Sequence, residues 1–160
     1  MRTGFWALID QTRPNEPDPA AHAEAITKHL VESGVDATLE YASSFDRAMD
    51  ALYTWDLWGA AYMALGGCSD DAFEYMRAWL VGQGETIWAM ARDDPERLFL
   101  RLLDEAGDPA SRWDELGTDL GEVLLYSGGR AHETLTGQWL PPRADVVSGP
   151  PAGADWDEGD

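Results

Sequence analysis

Residues 55–84 read WDLWGAAYMALGGCSDDAFEYMRAWLVGQG, and this stretch decides the fold. The first eleven, WDLWGAAYMAL, are apolar on nearly every side, which predicts a buried helix with one polar exception, Asp56. Gly66 and Gly67 end it, because glycine takes the left-handed backbone that closes a helix. Ser69 stands where a hydroxyl can cap the next helix, and Asp70 and Asp71 put negative charge at its positive end. Phe73, Met76, Trp79 and Leu80 then recur at three- and four-residue spacing, the pattern of one buried helical face, until Gly82 or Gly84 closes the segment. Two helices joined by a glycine turn set the pattern for the chain on both sides.

Upstream, Phe5, Trp6, Leu8 and Ile9 predict a short opening helix that breaks in RPNEPDP. Asp18 before Pro19 is a helix start: a capping carboxylate, then a ring at the first position, where no N–H is needed. That helix buries Ala23, Ile26 and Leu30 and stops near Gly34. Asp36 is placed to cap the next, whose apolar face is Leu39, Ala42, Phe45, Met49 and Leu52. Downstream, Ile87, Trp88 and Ala91 continue into a short helix, and Asp94-Pro95 starts another carrying Leu98, Phe99, Leu102 and Leu103. Asp108-Pro109 predicts a loop around Trp113. Leu120, Val123, Leu124 and Leu135 predict a last helix, with a kink expected at Gly128-Gly129. No segment alternates in the manner of a strand. The expectation is an all-α, single-domain orthogonal helical bundle of about six to eight helices over residues 1–140. Residues 141–160, rich in Pro, Gly and acid, are expected to be a disordered tail with its first few residues laid against the body.

Composition narrows function by exclusion. The 160 residues carry 30 acids against 11 bases, a formal charge of −19. A groove for nucleic-acid phosphates needs clustered cations, and an anionic membrane surface would repel this chain, so neither is an expected partner. Half of the acid has a local explanation, at helix starts or in the tail, which holds five acids and one base. Cys68 is alone, so no intrachain disulfide and no thiolate zinc site can form. No apolar run reaches signal-peptide or membrane-span length, and a soluble cytoplasmic protein is expected.

Several residues can be read chemically or structurally. Of eight tryptophans, Trp6, Trp55, Trp58, Trp79 and Trp88 lie on apolar helix faces, as core residues do; the functional alternative is an aromatic-lined pocket. Trp113, Trp139 and Trp156 fall outside such faces and are expected to be exposed or to pin loops. Asp56 calls for a partner, and Arg77 on the next helix is the first choice; otherwise it serves a ligand or a proton. Asp46 and Asp50 repel at i, i+4 unless a cation intervenes, and Arg47 or solvent is the expected relief. Cys68 precedes a helix N-terminus, which favours a thiolate, but Asp70 and Asp71 oppose one. His22 and His29 stand two turns apart, about 10 Å along the axis, too far to share a metal. No nucleotide-binding, zinc-protease or hydrolase motif occurs, so no cofactor is expected.

With Tyr53, the run Asp56 to Tyr62, Gly67 to Asp71, Phe73 and Arg77 to Leu80, this block resembles a bacterial, largely actinobacterial, family known only as domain of unknown function 4240. FWALID at the start and LTGQWLPPR at the end extend the resemblance over most of residues 5–143, and Met76 departs from it where an aromatic is expected. The resemblance implies a small helical domain and carries no activity. It directs attention to Asp56, Ser69, Asp70, Asp71, Arg77 and Trp79. Two functions stand beside each other. One is a non-enzymatic binding or regulatory module whose acidic surface engages a basic protein partner. The other is a small-molecule site or enzyme with a cleft at Asp56, Cys68–Asp71 and Arg77.

Overall fold

Helix begins wherever the sequence supplies a cap. The computed structural model describes residues 4–106, 121–147 and 149–156. α1 (Gly4–Thr12) is followed by α2 (Pro19–Ser33), where Asp18 accepts from the Ala21 N–H at 2.9 Å and Pro19 opens the first turn. Gly34, at φ 97°, closes α2 and starts α3 (Val35–Ala51) in one residue. Asp36 is therefore not the cap expected of it; it lies in the first turn, where its charge still suits the dipole. Thr54 caps α4 (Trp55–Leu65) through the Leu57 N–H, and left-handed Gly66 ends it. Ser69 caps α5 (Asp70–Gly82) through the Ala72 N–H at 3.2 Å. α6 (Glu85–Asp93) leads to α7 (Pro95–Ala106), whose Arg97 N–H donates to Asp94. A single turn, α8 (Glu122–Leu125), runs into α9 (Ser127–Thr136).

The fold is all-α. Among the described residues there is no strand, and one isolated parallel bridge joins Thr54 to Ala152. No described helix is long and apolar enough to cross a membrane. One connected core runs through Ile9, Ile26, Leu30, Phe45, Leu52, Leu57, Phe73, Met76, Leu80 and Leu98. Each such side chain contributes about 1.5–3 kcal/mol relative to staying in water. α9 packs across α2 and α3, α5 against α6 and α8, and α4 against α7.

Three expectations change in detail. α3 keeps the expected Phe45 and Met49, with Leu52 just past its end, in the core, but Thr38, Tyr41 and Ala48 join them in place of half-buried Ala42 and of Leu39, which is 37% exposed. Thr38 can face the core because its hydroxyl donates to the Gly34 carbonyl at 2.9 Å, and Tyr41 stacks among Phe5 and Phe45. The last helix breaks at Tyr126, not at the glycine pair. Gly128 and Gly129 lie buried inside α9, where a Cβ on Gly129 would overlap the Trp139 ring and one on Gly128 would press on Tyr41 and Ala42. They are sites of close approach. The largest change is α4, which is not a buried helix: within it only Leu57 and Ala61 are buried, and Met63 is 78% exposed.

The expected loop at Asp108-Pro109, Trp113 and Leu120 lies outside the described residues. Residues 141–147 and 149–156 contain no helix, as their proline and glycine content implies, and they form a strap that meets the body at Arg143, Ala152 and Trp156, well past the first few residues expected to lie there.

Candidate functional site

The start of α5, the Tyr53 turn and the last two turns of α3 enclose a cleft of about 440 Å³. Asp46, Met49 and Asp50 come from α3, and Asp70, Asp71, Phe73, Glu74 and Arg77 from α5; Trp58 of α4 closes one wall. Arg77 is held in it by aromatic faces. Its guanidinium carbon lies 4.8 Å from the Tyr53 ring centroid and 4.9 Å from that of Phe73, and its Nη1 donates to the Met49 carbonyl at 3.1 Å. Nε is buried with no partner. Burial pulls the guanidinium below its ordinary value, with Glu74 opposing.

The strap enters this cleft through Arg143. Its Nε lies 3.2 Å from Asp46 and its Nη2 2.6 Å from Asp50. The cation that relieves the Asp46–Asp50 repulsion is therefore Arg143, from far along the chain. Arg47 instead reaches the Ser44 hydroxyl. Burial pushes the Asp46 carboxyl up, Arg143 pulls it back, and Asp50 and Asp145 add to the rise.

The six candidate residues divide. Asp70, Asp71 and Arg77 share this cleft, and Ser69 caps the helix that carries them. Asp56 does not pair with Arg77. It sits exposed on the far side of α4's first turn, because the helix that was to bury it is open to solvent there. Trp79 faces the core at 8% exposure and lines neither cleft. Cys68 is half-buried; burial and the nearby Asp70 push its thiol up to about 11, the wrong direction for a nucleophile.

Asp56 belongs to a second and larger feature, an apolar groove of about 710 Å³ between α4 and α7. Its floor is Gly59, Ala60, Met63, Phe99, Leu100 and Leu103, and Trp55, Tyr62 and Trp156 close one end. Leu100 is 56% exposed. Acids stand around it: Asp56, Asp93, Asp94 and Glu96. Arg92 neutralises Asp93 through two bonds of 2.6 and 2.7 Å, which leaves the other three carboxylates without a cation among the described contacts.

Tryptophans serve both structure and groove. Trp6 and Trp79 are buried, and Trp58 and Trp88 are half-buried, with indole N–H groups donating to the Cys68 and Ala48 carbonyls. Trp55 instead stacks on Trp58 with ring planes 9° apart and meets Trp156 edge-on. Trp156 pins the strap, as a tryptophan outside any helical face can do, while Trp139 remains 49% exposed.

The sequence singled out neither the groove nor Arg143. Met63 and Leu100 carry the missed signal: each is apolar at a position outside the buried stripe of its helix. Among the described residues, no group of three or more His, Cys, Asp or Glu side chains is placed to hold a metal ion. His22 is buried, its Nε2 3.1 Å from the Ile9 carbonyl, and the His132 ring lies 2.8 Å from the Gln138 carbonyl.

Comparison with known proteins gives one match. The family model described as "Protein of unknown function (DUF4240)" matches residues 1–123. The match takes in α1 to α7, both walls of the groove and the α5 cleft residues. It ends before α9, so LTGQWLPPR and the strap lie beyond it. No curated protein and no solved structure matches the chain.

Proposed function

We propose a function for a chain that belongs to the family described as "Protein of unknown function (DUF4240)": a non-enzymatic binding module whose α4–α7 groove takes a basic, amphipathic helix of a partner protein. The observation that carries this reading is the apolar groove itself, with Met63 and Leu100 exposed at 78% and 56% and three carboxylates beside it that have no cation among the described residues. A contiguous apolar surface that a fold leaves open is a docking surface far more often than an accident of composition. A helix with an apolar stripe suits a groove between two helices, and flanking lysines or arginines suit Asp56, Asp94 and Glu96. The charge of −19 adds long-range attraction for such a partner.

Titration with a helical peptide bearing a leucine stripe flanked by lysines tests this directly. The lysine peptide should bind, lose affinity as salt rises, and fail against Met63→Asp, while a glutamate-flanked peptide should not bind. Equal binding of both peptides, or binding indifferent to Met63→Asp, would defeat the proposal.

A second reading rests on the α5 cleft. Asp70, Asp71 and Arg77 do converge on one cavity with Trp58, the arrangement a small-molecule site needs. Arg77 weakens it, because its guanidinium is already engaged by two rings and a carbonyl.

A further inference from the structure

We infer that the C-terminal strap is an intramolecular occupant of the partner groove, seated where a partner side chain docks and displaced when the partner arrives. This rests on the groove reading above and adds its regulation. Trp156 occupies the end of the groove, its ring centroid 5.0 Å from that of Tyr62 and 6.3 Å from that of Trp55. The seat is made by Gly59, where any Cβ would come within 3.1 Å of the indole. A glycine in mid-helix gives the ring room to lie against the helix backbone.

The strap is tied down at two further points. The Trp55 N–H, one of the unbonded donors at the start of α4, donates to the Ala152 carbonyl at 2.9 Å, and the Ala152 N–H donates to the Tyr53 carbonyl at 3.0 Å. Arg143 grips Asp46 and Asp50 at the α5 cleft, with both acids and the arginine partly in solvent. Arg143 meets Asp50 through both carboxylate oxygens and Asp46 besides, so this is a bidentate pair within a small network, with salt screening its exposed part. The strap thus touches both clefts and holds α4's first donor through ties that lie apart along the chain.

The seat is also imperfect. The Trp156 indole N–H is buried with no partner among the described residues, and a buried donor without an acceptor weakens the docked state. A leucine or phenylalanine from a partner helix would fill the same place without that penalty. Proline and glycine at 149–151 and 153 keep the strap from forming helix of its own, and Pro151 is buried beside the Ala152 bonds. The acids Asp145 and Asp155 are repelled by the acidic body, whereas a basic partner is attracted to it.

Hydrogen exchange and calorimetry on the full chain with the lysine-flanked peptide test the inference. Saturating peptide should speed exchange of the Trp55 amide, and Trp156→Ala should bind the peptide on the order of tenfold tighter than the native chain. Ala152→Pro, which removes the strap donor to the Tyr53 carbonyl and alters no groove side chain, should tighten binding in the same direction. Unchanged Trp55 protection at saturation overturns the inference and leaves the groove reading intact, as does weaker binding by Trp156→Ala, which would make the indole a wall of the site. Failure of the peptide to bind the native chain and both variants overturns the groove reading itself.

Discussion

Helices α4 and α5 are neighbours in sequence and opposites in use. α4 has one charge in eleven residues, yet within it only Leu57 and Ala61 are buried. α5 carries Asp70, Asp71, Glu74 and Arg77, yet buries Phe73, Met76, Ala78, Trp79, Leu80, Val81 and Gly82. Total apolarity therefore does not decide burial. Periodicity and position do: over its first two turns α5 turns Phe73 and Met76 inward and its acids outward, and its last five residues, 78–82, are buried on every side, whereas the apolar excess of α4 cannot all face one way. What the core leaves over on α4 lines the groove with α7. Stability and binding should accordingly separate between the two helices.

The largest effect should come from the core side. Phe73→Ala removes a ring 1% exposed and stacked on Trp58 at 4.9 Å, and it should cost about 3–5 kcal/mol in denaturant unfolding. Met63→Ala on α4 should stay within about 0.5 kcal/mol of the native chain. A Met63 variant as damaging as the Phe73 one would break the comparison, since α4 would then be bearing the fold on its outer face.

Glycines sharpen the same contrast at smaller scale. A Cβ on Gly121, just before α8, would fall onto the backbone carbonyl of Tyr75 in α5, which cannot move aside without moving the helix. Gly121→Ala should cost about 1–3 kcal/mol. Gly59→Ala in α4 meets only the Trp156 ring, and alanine's better helix propensity offsets part of the strain by about 1 kcal/mol. Thermal melts of the two variants should differ clearly, with Gly59→Ala near native and its strap loosened.

How much of this was legible in the sequence follows from which interactions are local. Caps at Asp18, Ser69 and Asp94 are one-turn hydrogen bonds, and the residues that make them announce them. The inner face of α5 was legible for the same reason, since its spacing is its own. Asp56 is exposed although the apolar composition of α4 implies burial, because the exposure of α4 depends on how α7 and the strap lie beside it. Arg143 bridges Asp46 and Asp50 across more than ninety residues, and no spacing rule reaches so far. Of the six candidate residues, the three that the structure gathers, Asp70, Asp71 and Arg77, sit on one helix.

pH should act on the core side and spare α4. His22 is buried against the end of α5 at Gly82, and burial, with Arg13 adding to it, holds its pKa below the ordinary 6.5. A base with a lowered folded value binds fewer protons folded than unfolded. Stability is therefore full above about 6.5 and is lost as pH falls below it, toward the folded value. Because protonation also relieves repulsion among the many carboxylates, the readout is a difference: unfolding free energies of the native chain and His22→Gln should diverge above pH 6.5 and converge below it. Parallel curves would show that the His22 ring is solvated in the folded state.

The smallest expected change probes the core side for the kind of flaw found at the strap. Tyr41 is buried among Phe5 and Phe45 with its hydroxyl lacking a partner, and burial pushes that phenol well above its ordinary value. An unpaired buried hydroxyl opposes folding, so Tyr41→Phe should leave stability unchanged or raise it by about 1 kcal/mol. The same geometry at Trp156 has the opposite meaning, because there the flaw sits on a segment held by a few separate ties and weakens its docked state. At Tyr41 the ring is locked on every side, and the flaw can only subtract from stability. A loss on Tyr41→Phe would mean that the hydroxyl is bonded after all, and unpaired donors would then cease to separate the fixed half of the molecule from the displaceable one.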